Sequence, residues 1–203
     1  MYAHVQQIMR RPDDADHGTL AVRPGKAAPG CVGAMNLEQL GGSAAVHLTI
    51  WDSEADARAA GLRDPLAAQR TGRYEITAAE RGRAAGTAPT HARILYFDGP
   101  RVPEQVAAED RGGRERIWPA VRHLDGLVGI YVLRAPDSGS LVITLATSIE
   151  AIDALQRAAL STQLLPGEDP ALLGGPDAVE LHQVTDYQMA VTQPVASVEG
   201  LRP

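Results

Sequence analysis

Apolar and polar residues follow β-like patterns over residues 2–9, 32–40, 44–51 and 73–79, and again over 93–97, 127–134, 141–147 and 179–185. These short runs predict eight strands. Gly41-Gly42 and Pro136-Asp137-Ser138-Gly139 supply the turns of two hairpins. Helical spacing predicts a helix to about residue 60, capped by Asp52 or Ser53, and a second over 149–160 behind Thr147 and Ser148, with Glu150 placed for a capping box. A third helix, over 103–124, opens on Pro103 and carries the apolar stripe Val106, Ile117, Val121 and Leu124, with Gly112-Gly113 weakening or bending it. Residues 13–28 contain Gly18, Pro24 and Gly25 and little apolar periodicity, so no complete amphipathic helix is expected there.

One pattern occurs twice. Gly30 and Gly126, Gly33 and Gly129, Leu37 and Leu133, and Glu54 and Glu150 lie 96 residues apart, and Gly42-Ser43 and Gly139-Ser140 lie 97 apart. Each half reads strand, helix, strand, strand, helix, strand, with the first helix of the first half reduced. That order is the ferredoxin-like split βαββαβ unit of the α+β class. Such a unit packs its helices on one sheet face, and a second copy in the same chain can cover the other. The expected organisation is a first unit over 1–82, a polar joint over 83–91, a second unit over 92–190 and a tail over 191–203.

Composition narrows the function. At 203 residues and 44% hydrophobic, the chain can bury a real core. A net charge of −6, with arginines interleaved among acids as in Arg114-Glu115-Arg116, argues against nucleic acid as a partner. No window approaches a membrane span and residues 1–5 lack a signal pattern, so a cytoplasmic protein without a membrane partner is expected. Cys31, the only cysteine, excludes an internal disulfide and a thiolate metal site. The sequence also lacks a phosphate-binding glycine loop, a zinc-spaced His pair and a Ser nucleophile motif. The acidic run at 13–17 lacks fixed ligand spacing and reads as a solvated loop. Neither a metal nor a cofactor is expected.

Ile50-Trp51-Asp52-Ser53-Glu54-Ala55, a strand ending in Trp before an acidic residue, Ser and Glu-Ala at a helix start, resembles the antibiotic biosynthesis monooxygenase family. Its members are usually single units that pair into a dimeric α+β barrel. Over 2–80 and 92–187 this chain resembles a tandem form, which implies that its halves build the barrel internally as a pseudo-dimer, leaving a monomer or a weak homodimer. The family includes cofactor-independent oxygenases of polycyclic phenols and heme-degrading oxygenases. The resemblance implies an Asn on the first strand, the Trp and, for heme degradation, a His on the following helix. Here the first strand has no Asn and the helix after Trp51 has no His, which disfavours heme degradation, and Thr147 stands at the Trp position of the second half.

Strand alternation puts His47, Thr49 and Trp51 on one face of the third strand and Val46, Leu48 and Ile50 on the other. The apolar set suits a helix-packed core, so the polar set is expected to line the barrel interior. Asn36, the only Asn, would join from the neighbouring strand, with His4 or Gln6 from the first. Such a pocket suits a small hydrophobic or aromatic molecule, and a neutral His can take a phenolic proton to give an electron-rich phenolate. His47, Trp51 and Asn36 are the catalytic candidates; His4, Gln6, Thr49, Trp118 and Tyr131 are substrate-binding candidates. Trp118 either roofs a pocket or anchors its helix, and Tyr131 and His182 lie on strands whose facing the sequence leaves open. Two readings stand: a cofactor-independent monooxygenase of phenolic or polyketide-type substrates, and a non-catalytic ligand-binding or stress-related barrel.

Overall fold

The computed structural model describes residues 1–9, 29–60 and 68–189. The reduced helix and acidic run expected within 10–28, and the tail at 191–203, lie outside them. The described elements are β1 (Tyr2–Met9), β2 (Cys31–Gln39), β3 (Ala44–Trp51), α1 (Glu54–Ala60), β4 (Ala68–Arg81), β5 (His91–Phe97), α2 (Pro103–Arg111), a π-helical turn (Gly112–Ile117), α3 (Trp118–Val121), β6 (Leu127–Arg134), β7 (Ser140–Ala146), α4 (Ile149–Leu160) and β8 (Ala178–Met189). The long helix expected over 103–124 is thus divided, with the wide turn beginning at Gly112-Gly113, where helix propensity is lowest.

All strands pair antiparallel, in the closed order β1-β3-β2-β8-β5-β7-β6-β4. Within each half the order is fourth, first, third, second, so two ferredoxin-like units share one α+β barrel. β4 and β8 run well beyond the spans expected for them because each serves two partners. β4 pairs β1 over Ala68 to Glu75 and β6 over Glu75 to Arg81. β8 pairs β5 over Ala178 to Gln183 and β2 over His182 to Met189.

Local hydrogen bonds repeat between the halves. Asp52 N–H donates to Gly30 O and Thr147 N–H to Gly126 O, both at 2.9 Å, and both glycines hold positive φ, 77° and 81°. Ser53 Oγ accepts from Asp56 N–H, and Ser148 Oγ from Ala151 N–H, as N-caps of α1 and α4. Strand register corrects the spacing read from the sequence: Met35 faces Leu48 as Tyr131 faces Ile143, so the second strand repeats at 96 residues but the third at 95. The turn loses one residue rather than gaining one. Ala146, not Thr147, is therefore the counterpart of Trp51.

The interior is filled by side chains of both halves, including Ala3, Val5, Leu37, Val46, Leu48, Ile50, Ile94, Leu133, Ile143 and Leu145. This reverses the facing expected from the sequence. An eight-stranded barrel is just wide enough for its own side chains, so the large apolar set Val46, Leu48 and Ile50 fills it. His47, Thr49 and Trp51 point outward, toward the helix layer. In the second half that layer packs Val121, Leu127 and Leu155 together with Trp118, and Ala146 against Ala151 and Ile152.

The interior carries a polar cluster around Glu180. Gln7 Nε2 donates to its Oε1 and Oε2 at 2.9 and 3.1 Å, Tyr96 Oη to Oε2 at 2.8 Å, and His182 Nε2 to Oε2 at 3.2 Å. The carboxylate is thereby satisfied by β1, β5 and its own strand, as a buried charge requires. Burial lowers the pKa of His182 and Glu180 opposes that shift.

The facing has a measurable consequence. Leu48, 2% exposed, fills the barrel, and Leu48→Ala is expected to cost about 3 kcal/mol in urea unfolding, whereas Val179→Ala on the exposed outer face of β8 is expected to change stability by less than about 0.5 kcal/mol. Equal effects would contradict the assigned facing.

Candidate functional site

The outer face of β1, β3 and β2 collects the polar residues singled out in the sequence. His4 lies opposite Thr49, and Gln6 opposite His47, across the β1–β3 pair. Asn36 lies opposite His47 across the β2–β3 pair. His47 Nδ1–H donates to Asn36 Oδ1 at 2.7 Å, and Trp51 Nε1–H donates to Thr49 Oγ1 at 3.2 Å. The His4 ring tilts against the Trp51 indole, with centroids 6.0 Å apart and planes at 50°. His4, Asn36, His47 and Trp51 are 5%, 8%, 9% and 6% exposed. α1, anchored by buried Ala57, lies against β1 and β3.

The sequence thus put these residues on one face and assigned that face to the wrong side of the sheet. Six candidates, His4, Gln6, Asn36, His47, Thr49 and Trp51, share the outer face instead of the interior. The other two lie elsewhere. Tyr131 faces the interior and shares a hydrogen bond with Tyr187, where burial raises its pKa strongly. Trp118, half-buried, packs with Ile117, Leu124 and Ile130 between α3, α4 and the second half of the sheet.

His4 is the reactive feature of this face. Its Nε2 is buried without a hydrogen-bond partner. Burial lowers its pKa, and so does the positive charge of Arg73, its cross-strand neighbour on β4. Both effects favour the neutral ring. Arg73 was not singled out in the sequence; only the β1–β4 register reveals it. The same holds for Gln7, Tyr96 and Glu180: the sequence leaves the facing of β8 open, and the structure turns Val179 and Leu181 outward and Glu180 and His182 inward.

The second half keeps the framework and changes this face. By register, His4, Asn36, His47 and Trp51 correspond to Arg93, Val132, Val142 and Ala146. Arg93 Nη1 donates to Gln156 on α4 at 3.1 Å. Helix contacts occupy there the layer in which the first half carries two imidazoles and an indole. Among the described residues, no cluster of three or more His, Cys, Asp or Glu is arranged to hold a metal ion.

No family model matches the sequence, and no curated protein matches it significantly. Solved structures do resemble it. An anthrone oxidase-like protein is 14% identical, with 97% of this chain and 96% of that one covered and a TM-score of 0.59. A ferredoxin-fold protein related to antibiotic biosynthesis monooxygenases, from Listeria monocytogenes, is 9% identical, with 91% and 95% covered and a TM-score of 0.56. A heme-degrading enzyme from Listeria monocytogenes is 10% identical, with 90% and 99% covered and a TM-score of 0.53. At these identities the likeness establishes the fold: the chain has the ferredoxin-fold barrel of antibiotic biosynthesis monooxygenase-like proteins.

His4 fixes a pH dependence. A base whose folded pKa is depressed binds fewer protons folded than unfolded below its ordinary value of 6.5. Its contribution is fully present above that pH and is lost as the pH falls through it, and His182 acts in the same direction. Arg73→Gln is expected to raise the His4 pKa in an NMR titration and to soften the acid loss of stability. An unchanged His4 titration would contradict the placement of Arg73.

Proposed function

We propose that the outer face of the β1–β3–β2 sheet binds a small aromatic molecule and that the protein is a cofactor-independent monooxygenase of phenolic or polyketide-type substrates. The observation that carries this reading is the Nε2 of His4, buried without a hydrogen-bond partner beside Trp51. The indole supplies an apolar wall for a planar ring. His4 Nε2 takes the phenolic proton, and the charge of Arg73, which disfavours imidazolium, stabilises the phenolate formed next to it. The Asn36–His47 pair holds a fixed polar edge beside the ring.

The electron-rich phenolate then reacts with dioxygen at a ring carbon bearing hydrogen. Loss of water from the resulting hydroperoxide leaves a quinone carbonyl, with one oxygen atom in the product and one in water. The substrate supplies all four electrons, so the overall reaction balances without an external reductant. A second reading, a barrel that binds such molecules without turning them over, is favoured by the absence of an Asn on β1 and of a His on α1.

Oxygen uptake with a panel of polycyclic phenols tests the choice. His4→Gln is expected to lower kcat about 100-fold, while Trp51→Phe is expected mainly to raise KM. Asn36→Leu is expected to lower kcat less than His4→Gln does. Saturable binding without oxygen uptake by the wild type would exclude the oxygenase and leave the binding barrel.

A further inference from the structure

A second region brings positive charge and an aromatic side chain together. An open groove of about 470 Å³ is lined by Arg81, Gly82, Arg83, Trp118, Arg122 and His123. It lies between the end of β4 and α3, away from the His4–Trp51 face. We propose that this groove binds a planar aromatic carboxylate, a ring system that lies against Trp118 while its anionic group is held by arginine.

Charge is the first support. The whole chain carries −6, yet three arginines and a histidine meet here. Among the described residues, neither Arg81 nor Arg122 forms a side-chain ion pair, although the charge of Arg81 also acts on Tyr131 and Tyr187. Arg83 reaches Asp125 at 3.2 Å, with both side chains largely exposed, an arrangement that solvent weakens and an incoming anion can displace. The planar guanidinium fork matches a carboxylate and also stacks on aromatic rings. Trp118 supplies an aromatic surface. The volume lies within the range of small-molecule sites.

The backbone fixes these groups. Trp118 and Arg122 stand one helical turn apart, with Arg122 N–H donating to Trp118 O at 3.0 Å, which puts both side chains on one face. The preceding π turn inserts a residue into the helix and so rotates α3 about 100° relative to α2. Opposite, Gly82 N–H donates to Val128 O at 3.1 Å and Ala84 N–H to Leu127 O at 2.8 Å. A Cβ on Gly82 would collide with the Leu127 backbone and side chain. Only glycine permits this close approach, which sets the backbone of Arg81 and Arg83 on either side.

The test is a titration of the full-length protein with 2-naphthoate, followed through the indole N–H NMR signal of Trp118, which is separable because the chain has two tryptophans. Saturable displacement of that signal is expected, with 2-naphthamide and acetate binding at least about tenfold more weakly. Arg81→Gln and Arg122→Gln are each expected to weaken 2-naphthoate about tenfold, while His4→Gln leaves the affinity unchanged. Equal binding of the uncharged amide, a response centred on Trp51, indifference to both arginine substitutions, or no saturable displacement would each overturn the proposal. Because His4 is not involved, this outcome is independent of the oxygenase reading.

Discussion

The constraint on which the structure depends is closure of the sheet at two seams. β4 and β8 each begin on the first strand of their own half and end on the second strand of the other. Among the described strands this leaves no free edge, so backbone groups that would otherwise recruit another strand are paired internally. It also turns one face of every strand toward a single enclosed space. That space must be filled with apolar side chains, and the single carboxylate admitted, Glu180, has donors from β1, β5 and β8. The polar set His4, Asn36, His47 and Trp51 is displaced to the outer face, between sheet and helix layer.

The two halves show what that displacement permits. Their framework is the same: positive-φ glycines enter β2 and β6, serines cap α1 and α4, and equivalent backbone bonds tie strand ends to turns. Their outer faces differ. In the second half Arg93 is committed to Gln156, and Ala146 lets α4 pack closely. In the first half Trp51 stands where Ala146 stands, His4 replaces the committed arginine, and Asn36 and His47 pair with each other. The interior is shared by both halves, and the side chains by which they differ lie between sheet and helix.

Much of this was legible in the chain. All eight strands were found, though β4 and β8 extend well beyond their expected spans, as were the ferredoxin-like order and the likeness to antibiotic biosynthesis monooxygenase-type barrels, because alternation and paired glycine turns are local signals. Grouping His4, Asn36, His47 and Trp51 succeeded for the same reason, since a period of two fixes relative facing. Absolute facing failed because it depends on what encloses the sheet. Val46, Leu48 and Ile50 suit a helix-packed core and a barrel interior equally well. The facing of β8 stayed open, since Val179 and Leu181 point outward while Glu180 and His182 point in, and no local pattern announces an interior carboxylate with donors 84 and 173 residues away. Arg73 stayed hidden because its effect on His4 arises from pairing between strands distant in sequence.

The most direct measurement is a crystal structure of the protein with a polycyclic phenol bound. The account requires the ring against Trp51 on the outer face of the β1–β3–β2 sheet, with its hydroxyl within hydrogen-bonding distance of His4 Nε2. A ligand found inside the barrel beside Glu180, with the His4–Trp51 face empty, would contradict it.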